Sequence, residues 1–243
     1  MERILSFGAG VQTTALAIMV AQGKLKVDAV VFADTGAERP ETYWYMENYS
    51  KPLLEKAGVP LIIVRNEQPY YQPDLYGFLW RIQNIPSFQQ RRCADHFKIR
   101  PIKKWVAKRD VEMLVGFSLD EAYRSKKPRH LWATESFPLI DIGITAQQCQ
   151  AIIQNFGWPK PTKSSCFFCQ FQTPFEWQWL KNTHLDLFQK ALDLEANFHQ
   201  RRPDMRDTFG LYRGTPLRHL AEGKQMPMGL ILERSCWNGY CSH

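Results

Sequence analysis

The chain has 243 residues, 44% of them hydrophobic, and a formal net charge of +7 from 31 basic and 24 acidic residues. This apolar content is ample for a core, and the length suits one large α/β domain. No run of about 18 apolar residues occurs, which excludes a membrane-spanning helix.

The charge, the first residues and the cysteine content narrow the expected classes further. A net positive charge suits an anionic partner such as a nucleotide, RNA or DNA. Glu2 and Arg3 lead straight into an apolar run instead of a signal sequence, so we expect a cytoplasmic protein. Six cysteines in such a chain favour metal or redox chemistry over a disulfide scaffold.

The first residues predict a strand, a glycine-containing turn and a helix. An apolar pair is followed by a turn with Gly8 and Gly10, and an amphipathic run begins at Thr13. Glycines let the backbone approach an anion, and the N–H groups that open a helix are donors without partners. The hydroxyls of Ser6, Thr13 and Thr14 add donors. The turn therefore predicts a phosphate site, and an ordinary packed turn is the alternative.

A second polar segment follows the next predicted strand. Residues 29–32, AVVF, are typical of a strand buried in a parallel sheet, and Asp34, Thr35 and Gly36 come directly after it. Open α/β sheets bind ligands at the carboxyl ends of their strands. These residues therefore favour a nucleotide site beside the first turn.

The alternation of apolar runs and helical patterns predicts an α/β fold with a doubly wound, Rossmann-like parallel sheet and a helical C-terminal portion. Further strands are expected at residues 59–64 and 112–117, and a helix is expected at residues 41–57. Another helix follows Thr145, which would cap it with Gln148 in the capping-box position.

The expected domain boundary falls near residue 160. Residues 1–160 carry the α/β pattern, whereas residues 161–243 carry a Cys-x-x-Cys pair, helical patterns and a thiol-bearing tail. We expect this second region to pack on the same domain.

The two polar segments resemble motifs of a known superfamily. Residues 6–14, SFGAGVQTT, are similar to the PP-loop, SGGxDS, of the adenine nucleotide α-hydrolases. Residues 33–36, ADTG, are similar to the xDTG segment of the branch that includes phosphoadenosine phosphosulfate (PAPS) reductase. Val11 and Gln12 replace the Lys-Asp pair that is common there, and Gly8 stands where a serine is usual. No Walker-type Gly-Lys-Ser/Thr sequence occurs.

This resemblance implies a bound adenine nucleotide, either ATP with Mg²⁺ on its phosphates or PAPS. ATP would be split between its α- and β-phosphates. The implied nucleotide-binding residues are Ser6, Phe7, Gly8, Gly10, Gln12, Thr13, Thr14, Asp34, Thr35, Gly36 and Gly116.

Two later segments resemble family elements that hold anionic groups. Residues 93–101 are similar to Cys-x(4)-Lys-[Ile/Val]-x-Pro, and residues 116–124 are similar to Gly-x(3)-[Asp/Glu]-[Glu/Ser]-x-x-Arg. The resemblance implies that Lys98 and Arg124 stabilise phosphate or sulfate charge and that Cys93 is catalytic. A solvated charged turn and a surface ion cluster are the alternatives for the two segments.

The pair Cys166 and Cys169 lets two thiolates converge on one metal or cluster. Zinc is one interpretation, although a closed zinc site needs four ligands and no second Cys-x-x-Cys is present. Relatives that insert sulfur hold a [4Fe–4S] cluster with a lone cysteine and a Cys-x-x-Cys, an arrangement that Cys93, Cys166 and Cys169 resemble. Cys241 would be a fourth ligand or a catalytic sulfur-relay thiol. A metal-free redox pair is the third alternative.

The resemblance as a whole implies an ATP-dependent sulfurtransferase. Such an enzyme transfers AMP to an acceptor, here expected to be tRNA or DNA, and releases pyrophosphate. Sulfur from a donor such as a cysteine desulfurase then displaces AMP. One alternative is a PAPS or adenylylsulfate reductase in which Cys241 is the nucleophile, and another is a non-catalytic nucleotide-binding partner of a DNA-binding protein. A second copy of the chain, in a homodimer, is a further expected partner.

Overall fold

A computed structural model of the chain describes residues 1–88, 90–126 and 132–223. In these residues the strands are β1 (Glu2–Phe7), β2 (Ala29–Ala33), β3 (Leu61–Val64), β4 (Val111–Val115) and β5 (Thr134–Ser136). The α-helices are α1 (Val11–Ala21), α2 (Pro40–Tyr45), α3 (Lys51–Lys56), α4 (Leu75–Arg81), α5 (Arg92–Ala94), α6 (Arg100–Val106), α7 (Pro138–Asp141), α8 (Ala146–Asn155), α9 (Pro174–Thr183), α10 (Leu185–Arg201) and α11 (Arg218–Ala221). Two π-helical turns, Met46–Ser50 and Asp95–Ile99, and three 3₁₀ segments, Pro69–Tyr71, Leu119–Lys126 and Pro203–Met205, lie between them. None of these described helices has the length and apolar character needed to cross a membrane.

The described residues divide into two compact units. The first, here called the sheet unit, comprises Met1–Asp34, Glu38–Arg65 and Ile99–Ser164. The second, here called the thiol unit, comprises Thr35–Ala37, Asn66–Lys98 and the residues from Ser165 onward. The break after Ser164 lies close to the boundary expected at residue 160, but the thiol unit also takes two segments from the N-terminal part of the chain.

The sheet has the strand order β3-β2-β1-β4-β5, and every pairing in it is parallel. Leu5 of β1 lies opposite Val30 of β2 and Leu114 of β4. Because side chains alternate along a strand, these residues share a core with α1, α3 and α8, whereas Ile4 and Val31 share a second core with α6. Helices therefore cover both faces of the sheet, which confirms the predicted doubly wound, Rossmann-like fold.

Local sequence explains where several helices begin and change. Thr145 Oγ1 accepts a hydrogen bond from the Gln148 N–H at 3.3 Å, and the Thr145 N–H donates to Gln148 Oε1 at 2.8 Å, which confirms the predicted capping box of α8. The helix expected at residues 41–57 is instead α2, a π-helical turn and α3. Pro52 has no N–H to donate to a carbonyl in the preceding turn, which accounts for the change of hydrogen-bond pattern there.

The thiol unit is mainly helical, and α4, α9 and α10 supply its core. Trp177 and Leu180 of α9 and Phe188 and Leu194 of α10 are buried in one hydrophobic cluster with Phe168. Phe168 belongs to the Cys-x-x-Cys segment, so this core holds that segment in place. The helical C-terminal portion predicted from the sequence is confirmed.

Candidate functional site

The glycine turn of the sheet unit is folded around the hydroxyl of Thr13. This hydroxyl accepts hydrogen bonds from the N–H groups of Gly8 and Gly10, at 3.3 Å each, and donates to the carbonyl of Gly10 at 3.3 Å. Gly10 is also the N-cap residue of α1. The first N–H groups of an α-helix have no intrahelical partner and lie at the positive end of its dipole. The turn therefore ends in a set of donors suited to an anion.

Two observations at this turn are consistent with a bound ligand: open space beside Gly8 and a Thr14 hydroxyl without a described hydrogen-bond partner. A Cβ atom added to Gly8 would meet no other atom within 4 Å. The Thr14 hydroxyl is buried and has no hydrogen-bond partner in the described part of the chain, whereas buried polar groups normally have one. Thr14 is therefore a candidate ligand contact.

The other predicted residues around the turn have different surroundings. Ser6 and Phe7 are the last residues of β1 and lead into the turn. Gly116 follows β4, and a Cβ atom there would lie 2.7 Å from Cγ2 of Thr13. Gly116 thus lets the end of β4 pack closely against the first turn of α1.

Asp34, at the carboxyl end of β2, is buried and held by two residues that the sequence analysis did not identify. The Tyr43 hydroxyl donates to Asp34 Oδ1 at 2.6 Å. Arg65 donates to Asp34 Oδ2 from Nε at 2.8 Å and from Nη2 at 2.5 Å. The pKa of Tyr43 is raised well above its ordinary value, mainly by burial and also by the neighbouring Asp34. This phenol therefore stays protonated and can donate a hydrogen bond. The position of Arg65 directly after a predicted strand was the available signal.

Arg124, the expected phosphate-binding cation, forms a buried ion pair. Its Nη1 lies 2.6 Å from Glu121 Oε1, and the two side chains are 4% and 1% exposed. Ser118 Oγ and Gln12 Nε2 both donate to Glu121 Oε2 at 3.2 Å. Burial raises the pKa of Glu121 above its ordinary value, although Arg124 opposes this shift. Gln12 is thus tied to the segment after β4 by a hydrogen bond.

In the thiol unit, the segment Thr35–Ala37 contacts the Cys-x-x-Cys turn directly. Thr35 Oγ1 lies 3.4 Å from Cys166 Sγ. The Phe167 N–H donates to the carbonyl of Ala37 at 3.0 Å. Gly36 has a φ of +70°, a backbone conformation that L side chains rarely adopt. A thiol therefore lies against the segment that resembles the family's xDTG.

The Cys-x-x-Cys segment forms a tight turn. The Cys169 N–H donates to the carbonyl of Cys166 at 3.1 Å, as in a β-turn. The first and fourth Cα atoms of such a turn lie within about 7 Å of each other, a separation that a disulfide can bridge with little movement. Ser165, directly before the turn, has a buried hydroxyl with no hydrogen-bond partner among the described residues.

Cys93 and Lys98 lie in the thiol unit, in α5 and in the π-helical turn that follows it. Cys93 packs against the same hydrophobic cluster as Cys166. His96 lies between Cys93 and Lys98 in the sequence. Its Nδ1 is 2.6 Å from the Tyr71 hydroxyl, and this hydrogen bond fixes the orientation of the imidazole. The structure therefore places all three expected cluster cysteines that it describes in one unit.

Within the described ranges, no group of three or more His, Cys, Asp or Glu side chains is arranged to hold a metal ion. A [4Fe–4S] cluster or a zinc ion held by Cys93, Cys166 and Cys169 therefore stays a prediction that the described residues do not support. Cys241, the expected further ligand and catalytic thiol, lies outside the described residues. Mg²⁺ on a nucleotide needs no such group of three, because this ion commonly combines one or two carboxylates with substrate phosphates.

Comparison with known proteins adds a family match. The family model described as phosphoadenosine phosphosulfate reductase domain matches residues 2–146. The matched part contains the glycine turn, Asp34, Cys93 and Arg124, and it ends before Cys166. Among curated proteins, none matches the chain.

Proposed function

The chain belongs to the phosphoadenosine phosphosulfate reductase domain family, and on this premise we propose that it is an ATP-using sulfurtransferase that modifies a nucleic acid. Family membership places it among PP-loop proteins that use adenine nucleotides. The proposal adds the acceptor, the cleavage of ATP between its α- and β-phosphates, and the origin of the sulfur.

The glycine turn supplies the donors for the nucleotide phosphates in this proposal. Its support is the turn folded around Thr13, the open space at Gly8 and the unpartnered hydroxyl of Thr14. Backbone N–H groups at a helix start stabilise the negative charge that develops on the α-phosphate during transfer. Mg²⁺ bound to the phosphates would neutralise further charge.

In the first step, an oxygen of the acceptor attacks the α-phosphorus of ATP. A bond forms between that oxygen and phosphorus, the bond from the α-phosphorus to the bridging oxygen breaks, and pyrophosphate leaves. The acceptor then carries AMP on its oxygen. This activation is needed because oxide is a poor leaving group, whereas AMP is a good one.

The sulfur step rests on one observation, the 3.4 Å contact between Thr35 Oγ1 and Cys166 Sγ. We assign Cys166 as the thiol that carries a persulfide, received from a cysteine desulfurase. The terminal sulfur attacks the activated carbon, AMP leaves, and a disulfide joins Cys166 to the acceptor. The Cys169 thiolate then attacks Cys166 Sγ, which releases the thiolated acceptor and leaves a Cys166–Cys169 disulfide. A dithiol reductant must restore both thiols.

The basic face of α6 and the turn after it supports a nucleic acid as the acceptor. Arg100, Lys103, Lys104 and Lys108 are all exposed, and no acidic residue interrupts positions 100–108. The other side of α6 packs into the core of the sheet unit, so these charges line its solvent side. Such faces attract the phosphodiester backbone electrostatically.

The test is sulfur incorporation into tRNA and into DNA, measured by nucleoside mass spectrometry with ATP, cysteine, a cysteine desulfurase and a dithiol reductant. We expect the wild type to incorporate sulfur and C166S to incorporate none. The control C149S changes a cysteine that is buried in the core of the sheet unit, and it should incorporate sulfur as the wild type does. In a reaction without the dithiol reductant, C169S should stop with the acceptor disulfide-bonded to the protein. Equal incorporation by C166S and the wild type would refute the assignment of Cys166.

The description of the matched family favours a second candidate, a PAPS reductase. Its expected nucleophile, Cys241, lies outside the described residues. Formation of sulfite from PAPS with thioredoxin, abolished in C241S, would establish this activity in place of the sulfurtransferase. Nucleotide binding without turnover of ATP or PAPS would instead indicate the non-catalytic role considered from the sequence.

A further inference from the structure

Arg65 is an exposed guanidinium anchored on a buried carboxylate. Its side chain is 66% exposed, whereas that of Asp34 is 3% exposed. Both of its hydrogen bonds to Asp34 reach the single oxygen Oδ2, from Nε at 2.8 Å and Nη2 at 2.5 Å. The other oxygen of Asp34 is held by the Tyr43 hydroxyl at 2.6 Å. A flexible surface side chain is thus fixed at one end by a rigid pair of residues.

The hydrogen bonds to Asp34 do not use all of the N–H donors of the Arg65 guanidinium. A guanidinium has five N–H donors in a planar fork that matches a phosphate, and the bonds to Asp34 use two of them. Within the described ranges, Arg65 forms no ion pair other than the one with Asp34. Arg124 differs in this respect, because its side chain is 4% exposed and lies against Glu121.

The position of Arg65 in the sheet separates it from the glycine turn. Arg65 directly follows β3, Asp34 follows β2, and β2 lies between β3 and β1. Parallel strands are spaced by about 4.8 Å, so Arg65 lies about 10 Å along the same carboxyl edge from the end of β1. This edge is where open α/β sheets bind ligands.

We infer that Arg65 binds a phosphate group of the nucleotide substrate, and that Asp34 and Tyr43 are positioning residues that orient its guanidinium. The inference rests on the nucleotide binding proposed above and adds a second anion-binding point to it. It also gives Asp34 a positioning role, because both of its oxygens accept hydrogen bonds from Arg65 and Tyr43.

The experiment is calorimetric titration of the full chain with ATP, AMP and adenosine. We expect Arg65→Gln to weaken ATP binding by about tenfold or more, because a charged hydrogen bond is lost, and to leave adenosine binding unchanged. Arg65→Lys should give an intermediate loss, since lysine keeps the charge without the fork. The matched control is Arg3→Gln, which removes another arginine–carboxylate pair, Arg3–Glu112. This pair lies near the amino-terminal ends of β1 and β4, away from the carboxyl ends where Arg65 lies.

The positioning role has its own measurement. Tyr43→Phe should lower the ratio of ATP affinity to adenosine affinity by a few fold, an effect that a general loss of stability would not produce. Equal losses for ATP and adenosine in Arg65→Gln, or no loss for ATP, would overturn the inference.

Two further results show whether Arg65 binds a nucleotide phosphate or a tRNA backbone phosphate, and whether a failure concerns this inference or the proposed function. Fluorescence anisotropy with tRNA should give the same affinity for Arg65→Gln as for the wild type. A loss of tRNA affinity with ATP affinity retained would overturn the inference in favour of a backbone phosphate. If the wild type bound neither ATP nor AMP, both the proposed function and this inference would fail. If the wild type and Arg65→Gln bound ATP with the same affinity, only this inference would be contradicted.

Discussion

Arg124 and Glu121 form an ion pair in the interior of the sheet unit, with Nη1 2.6 Å from Oε1 and side chains that are 4% and 1% exposed. The Arg124 guanidinium also lies over the Phe117 ring, with Cζ 4.1 Å from the ring centroid. Because Gln12 donates to the same carboxylate, the pair connects the start of α1 to the segment after β4. The arginine that resembles a phosphate-binding residue thus has a structural partner of its own.

Removing one member of this pair should destabilise the protein strongly. We expect Arg124→Met to lower the free energy of unfolding by about 3–5 kcal/mol, because Glu121 would remain buried without its partner. The double variant Glu121→Gln with Arg124→Met should recover much of that loss. Urea unfolding measures both. Unchanged stability combined with lost ATP binding would instead indicate that Arg124 serves the ligand.

The two threonines at the start of α1 should respond differently to the same change. Thr13→Val removes the hydroxyl that organises the glycine turn, so we expect weaker ATP binding, by about tenfold. Thr14→Val removes a buried hydroxyl without a described partner, so we expect a gain of about 1 kcal/mol in stability. Calorimetric titration and urea unfolding of both variants provide the comparison. A loss of stability in Thr14→Val would contradict the assignment of its hydroxyl as unpartnered.

Gly36 and Gly143 provide a matched pair for backbone strain and contact. Their φ angles are +70° and +72°. A Cβ atom on Gly36 would lie 2.6 Å from Cβ of Asp74, whereas one on Gly143 would meet nothing within 4 Å. We expect Gly143→Ala to cost about 1–2 kcal/mol from the φ angle alone. Gly36→Ala should cost more, because Asp74 caps α4 through a 2.7 Å bond from Gly77 N–H to its Oδ1 and has little freedom to move. Equal thermal stability of the two variants would argue against this contact.

Cys149 predicts a dependence of stability on pH. Burial raises the pKa of its thiol to about 12. In the unfolded protein a thiol has a pKa of about 8.5. The buried thiol therefore stabilises the folded protein fully below that pH, and this contribution is lost as the pH rises towards the pKa in the folded protein. Unfolding by urea at about pH 7.5 and about pH 9.5 should therefore show a larger decline for the wild type than for Cys149→Ala. Identical declines would mean that this thiol does not contribute.

The sheet could be predicted because its main strands are continuous apolar runs whose burial does not depend on fine detail. β5 (Thr134–Ser136) was not predicted, since it is a short polar segment that becomes a strand only by pairing with β4. Residues 66–98 join the thiol unit through contacts that are distant in sequence. Tyr71 belongs to the hydrophobic cluster that α9 and α10 build, and Phe78 packs against it.

The candidate site shows the same division between local and distant information. The glycine turn follows from residues a few positions apart, and its strand and helix were predicted in place. The contact of Tyr43 and Arg65 with Asp34 depends on how β2, α2 and β3 pack, which no local pattern encodes. The spacing of Cys166 and Cys169 predicts a turn, but it cannot specify that Thr35 lies beside the first thiol.

The central claim, that this chain cleaves ATP between the α- and β-phosphates to activate a nucleic acid, is tested most directly by the products formed from ATP labelled at the α-phosphate and, in a parallel reaction, at the γ-phosphate. In the presence of tRNA or DNA together with cysteine, a cysteine desulfurase and the dithiol reductant, we predict AMP and pyrophosphate in equal amounts, with Arg3→Gln behaving as the wild type and Thr13→Val forming less of both. ADP and phosphate as products, or no ATP turnover while PAPS yields sulfite, would contradict it.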